Sequence, residues 1–154
     1  MKYAEQTTVS VDKSRAEIEK LITRYGATST AFMNAPGRAI ICFEAKGRRI
    51  MFELKLPVIE DKRFLRDGRG SLLAPQKKIE KWEQACRQSW RALALVIKAK
   101  LEAVESGITS FEDEFLAHIV MPDGQTVATH IKPRIAEAYE SQKMLALLPP
   151  SKMQ

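Results

Sequence analysis

Two cysteines and two histidines among 154 residues leave little material for thiol or metal chemistry. Cys42 and Cys86 are too few and too far apart for a disulfide framework or a zinc site, so a reducing cytosol is the expected compartment. No run approaches the roughly 18 to 20 apolar residues of a membrane span. The best, Ala92 to Ile97, is closed by Lys98, and Met1 to Gln6 lack the apolar stretch of a signal peptide. A membrane partner is therefore not expected. No glycine-rich run matches a phosphate-loop or dinucleotide fingerprint, and no Ser/His/Asp order has local support. An enzyme is disfavoured on these grounds, and neither cofactor nor metal is expected.

What the chain does have is positive charge in one place. Between Lys62 and Lys100 eleven basic residues face three acidic ones, a local +8, while the rest of the chain is −2 against an overall +6. Concentrated positive charge is the footprint of a polyanion partner. Lys62, Arg63, Arg66, Arg69, Lys77, Lys78, Lys81 and Arg91 form the candidate phosphate-tracking surface, with Arg38, Arg48 and Arg49 at the hairpin turns as an extension or as sheet-edge protection. Lys98 and Lys100 fall in the apolar half of the long helix and are discounted.

The length suits a single domain, residues 1–154, of α+β class. Asp12 reads as the N-cap of a helix carrying Ala16, Ile18, Leu21, Ile22 and Tyr25, stopped by Gly26. Residues 28–56 switch to alternation, and a three-stranded antiparallel meander follows, with turns at Asn34 to Gly37 and Glu44 to Gly47. One apolar face of that sheet needs covering by helices. Residues 58–75 hold no regular period and read as a flexible basic loop, and the termini 1–10 and 146–154 as flexible ends. A long helix from Pro75 to Ser106 carries the stripe Ile79, Trp82, Cys86, Trp90, Leu93, Ile97, Leu101 and Val104; its second half is apolar nearly all round, predicting burial by several neighbours. Ser110 starts a short helix reaching about Val120. Another runs from Thr126, with Pro133 as a kink or its true start, and Leu147-Leu148-Pro149-Pro150 ends regular structure.

The order helix, three strands, then a helix opening with Lys77-Lys78-Ile79-Glu80-Lys81 resembles a double-stranded-RNA-binding domain. That resemblance implies phosphate contacts from Gly68, Gly70, Ser71, Lys77, Lys78 and Lys81. Leu72 to Gln76 intervene here, the second helix is twice the family's length, and the C-terminal third has no counterpart. The segments Lys13 to Glu19 and Trp82 to Leu93 and the Pro122-Asp123-Gly124 turn resemble small uncharacterised bacteriophage and prophage proteins. This second resemblance implies a phage-borne protein in the cytosol of a bacterial host and carries no activity.

Other constellations have simpler structural readings. Trp82 and Trp90 share one helix face and are expected in the core, Trp82 being the better candidate for stacking on a base. Cys42 and Cys86 read as small core residues. Glu114 and His118, four residues apart, would need His130 or Asp123 to complete a metal site. The leading expectation is a non-enzymatic nucleic-acid-associated protein. A protein-interaction module comes next, either a phage inhibitor of a host or defence protein or an oligomeric factor joined through the long helix. A binder of a phosphorylated small molecule is third; Glu112, Glu114 and His118 lying near the basic loop would favour it.

Overall fold

The fold is a computed structural model that describes residues 4–147. Helix α1 spans Val11–Tyr25. Its N-cap is Ser10, not Asp12: Ser10 is extended and its Oγ accepts the Lys13 amide at 3.1 Å, leaving Asp12 in the first turn where its charge suits the helix dipole. Gly26, at φ 105°, closes the helix in the left-handed conformation that the sequence predicts. The inward stripe is Ser14, Ile18 and Ile22, with Ala16 exposed.

Strands β1 (Ser29–Ala35), β2 (Arg38–Ala45) and β3 (Arg48–Lys55) form an antiparallel sheet in the order β1-β2-β3. Ile41 lies opposite Phe32 and Phe52, and Phe43 opposite Thr30 and Ile50, so alternation sends these side chains to one face. The β2–β3 turn places both Lys46 (φ 53°) and Gly47 (φ 71°) at positive φ, the twist that a two-residue hairpin requires.

Helix α2 runs Pro75–Glu105, with Pro75 in its first turn as expected. Trp90, Leu93, Ala94, Ile97 and Leu101 are buried against Ile18 and Ile22 of α1 and against Ala39, Ile41, Phe43, Ile50 and Phe52 of the sheet. The architecture is therefore α+β, one sheet face covered by helices. Three expectations for the core need correction. Cys42 projects from the sheet face opposite Ile41 and Phe43 and is half-buried, as is Cys86, so neither belongs to the core cluster. Ala92, Val96 and Ala99 are exposed, so the second half of α2 is not enclosed all round.

Helix α3 is shorter than expected, Phe111–Phe115, because Leu116–His118 tightens into a 3₁₀ turn and Ile119 then pairs with Ile50 in a single β-bridge. Phe115 is fully buried and meets the edges of Phe43 and Phe52 at centroid distances of 6.1 and 6.2 Å. Helix α4 (Val127–Ser141) is capped by Thr126 and continues through Pro133, which lies inside it and does not start it. Leu148, Pro149 and Pro150 lie outside the described residues. Among the described residues no helix is long and apolar enough to cross a membrane.

Candidate nucleic-acid interface

The segment 58–75, expected as an irregular loop, is built on its own hydrogen bonds. Lys62–Phe64 is a 3₁₀ turn whose Phe64 is buried, leaving Lys62 and Arg63 exposed immediately before an apolar anchor. Beyond it Arg66 and Leu72 form a β-bridge, and Leu73 donates its amide to Leu65 O at 2.9 Å. The Asp67 carboxylate accepts the Arg69 and Ser71 amides, both at 2.9 Å, fixing the Asp67-Gly68-Arg69-Gly70 turn. Trp82 of α2 donates its indole N–H to Pro57 O at 2.9 Å, which ties the start of the segment to the helix.

Electrostatically the segment is lopsided. Arg63 pairs with Asp61 at 3.5 Å and Lys77 with Glu80 at 3.2 Å. Arg66 donates to the Gly70 carbonyl at 2.8 Å and has no carboxylate partner. Among the described residues Lys62, Arg69, Lys78 and Lys81 likewise have no ion-pair partner. Five cations thus stand uncompensated along one continuous stretch.

The start of α2 adds to this. Ser10, Ser110 and Thr126 cap α1, α3 and α4 through their side chains, but the N-cap of the 31-residue α2 is Ala74, which offers none. No acid occupies its first turn. Lysines 77 and 78 therefore sit where the helix dipole is already positive, an arrangement that costs stability in isolation and favours an anion.

Arg91 does not belong to this surface. Its guanidinium pairs with Glu17 across the α1–α2 contact, with the two side chains 22% and 31% exposed. A double-mutant cycle of Arg91→Gln and Glu17→Gln is expected to give a coupling of about 0.5–1 kcal/mol in urea denaturation, while Arg91→Gln alone leaves oligonucleotide affinity unchanged. Arg38, Arg48 and Arg49 are also engaged, with Glu53, Glu112 and Glu44 at 4.0, 2.9 and 2.8 Å.

The acidic and histidine residues do not converge. Glu114 pairs with Lys100 at 3.0 Å, and Asp123 with His130 at 2.7 Å. His118 stacks on Phe52 with centroids 4.0 Å apart. Among the described residues no three His, Cys, Asp or Glu side chains group as a metal site would need. Lys100, the α2 residue that holds Glu114 of α3, lies 22 residues along α2 from Lys78, about 33 Å of helix. That separation counts against a phosphorylated small molecule held between the basic loop and these acids.

Burial, then the Lys100 and Lys132 cations, pushes the His118 imidazole below its ordinary pKa of 6.5, against a backbone hydrogen bond at Met51 that raises it. Unfolded chains therefore take up this proton first as pH falls below about 6.5, and the stability held by neutral His118 is lost down to its folded pKa. The drop in urea midpoint between about pH 7.5 and about pH 5.5 is expected to be smaller in His118→Phe than in the wild type.

Comparison of the chain with protein-family models, curated proteins and solved structures finds no match. Fold and side-chain geometry are accordingly what carry a functional argument.

Proposed function

We propose that the protein binds the phosphate backbone of nucleic acid, without catalysis, through the loop 58–75 and the first turns of α2. The carrying observation is the set of five unpaired cations, Lys62, Arg66, Arg69, Lys78 and Lys81, leading into an uncapped helix N-terminus. Cations of this kind neutralise phosphates without reading base sequence. The internally bonded turn supports the reading because it orders the backbone that carries Arg66 and Arg69 before a ligand arrives, which lowers the backbone ordering cost of binding. An electrophoretic shift with DNA and RNA, each single- and double-stranded, tests it: complexes at low salt that dissolve as salt rises support it, and free nucleic acid at low salt refutes it.

One observation favours a protein-interaction module as a second reading, but not by the expected route. Trp90, Leu93, Ile97 and Leu101 are buried within the subunit, so that stripe of the long helix is not available to join copies. An exposed apolar face lies on α4, which contributes no buried residue and leaves Ile135 and Tyr139 45% and 77% exposed. Light scattering of the wild type against Ile135→Ser/Tyr139→Ser tests it: a mass that falls in the variant supports association through α4.

A further inference from the structure

A cavity of about 450 Å³ opens beside the basic loop, between the start of α1, strand β1 and the first half of α2. Arg15, Leu56, Trp82, Cys86, Arg87 and Trp90 line it. This is the volume range of small-ligand sites, here an open groove whose lining is mostly apolar and includes two tryptophans.

Its polar lining is two guanidinium groups, Arg15 and Arg87, with the Glu83 carboxylate and the neutral Ser10 and Asn34. The Arg15 guanidinium lies 5.5 Å from the Phe32 ring centroid and 5.6 Å from that of Trp90, and its Nε is buried with no hydrogen-bond partner. A buried donor left unmatched is costly. Arg87 contributes a second guanidinium, held by two bonds to Gln84 Oε1. Arg63, from the loop, comes close enough to Cys86 to oppose the burial that raises its thiol pKa. Glu83 is the one acid in the wall. The Trp82 hydrogen bond to Pro57 fixes the indole and joins the cavity to the base of the loop.

Aromatic walls suit a flat ring, and guanidinium groups suit a phosphate. A nucleotide carries both. We infer that the cavity accepts one unstacked base of a single strand whose neighbouring phosphates lie on the loop cations. This rests on the phosphate-binding reading above and narrows it: a duplex would have to break stacking to supply the base, so single strands are preferred.

Both tryptophans of the chain border this cavity, Trp82 partly exposed and Trp90 buried in the core, so quenching of intrinsic fluorescence reads contact at Trp82. Four probes are titrated into the wild-type protein: an oligothymidylate, an abasic strand of equal length, a duplex of equal length, and thymidine monophosphate. Anisotropy of end-labelled strands follows binding independently. The oligothymidylate is expected to quench saturably, and the abasic strand to bind roughly tenfold more weakly without quenching. Trp82→Leu is expected to lower oligothymidylate affinity to that of the abasic strand. Equal affinities with no quenching would overturn the cavity assignment and leave backbone binding standing. Failure of both strands to bind would remove the backbone reading as well. Monophosphate that quenches as tightly as the strand would make this a free-nucleotide site and overturn the strand assignment, as would a duplex that quenches equally.

Discussion

Changing Lys77, Lys78 and Lys81 together to glutamate is expected to weaken oligonucleotide binding at least about a hundredfold at roughly 50 mM salt. Two of the three are unpaired in the free protein, and counterion release makes each phosphate contact worth about tenfold under those conditions. The same variant should be as stable as the wild type or more so. Acids at positions 77 and 78 would then lie at the first turn of an uncapped helix, where the dipole favours each by about 0.3–1 kcal/mol and offsets loss of the exposed Lys77–Glu80 pair. Opposite signs for affinity and stability separate this account from simple unfolding. Anisotropy and thermal melts on one preparation measure both, and a variant that binds as the wild type does would refute the role of α2.

The largest stability effect is expected at Phe115. It is fully buried and reaches Phe43 and Phe52 edge-on, with Phe111 4.9 Å away, so it links α3 to β2 and β3. Phe115→Ala should cost about 3–5 kcal/mol in urea denaturation, from lost apolar transfer and the cavity left behind. Ile135→Ala, on the exposed face of α4, should stay within about 0.5 kcal/mol. A loss at Phe115 no larger than at Ile135 would mean that α3 is not part of the core.

The element order was legible because the hydrophobic period changes cleanly, from 3.6 over Ile18 and Ile22 to 2 over Ile50 and Phe52 and back again from Ile79. Boundaries were less so, because a cap depends on backbone conformation as well as residue type. Ser10 displaced Asp12 for that reason. Cys42 illustrates a different limit: inside the apolar run Ala39 to Phe43 composition suggests burial throughout, whereas alternation allows one face only. Residues 58–75 carry no period, yet the Asp67 turn and the Phe64 anchor give them local order that only side-chain bonding reveals.

The candidate site was legible as charge and not as geometry. Seven of the eight singled-out cations lie in the loop and the first turns of α2, but Arg91 was misplaced because its partner, Glu17, is 74 residues away. Arg15 and the cavity beside it were missed altogether. The available signal was phase: Arg15 follows Val11 by four residues and precedes Ile18 by three, so it flanks the inward stripe of α1 and is not on its solvent face.

The central claim is that five uncompensated cations meet phosphates, and its most direct measurement is the affinity of a labelled oligonucleotide for the wild-type protein against salt. The account predicts a log–log slope of about −3.5 to −4.5, so affinity falls roughly 100- to 500-fold between about 50 and 200 mM. A slope near zero, or no binding at the lower salt, would contradict it.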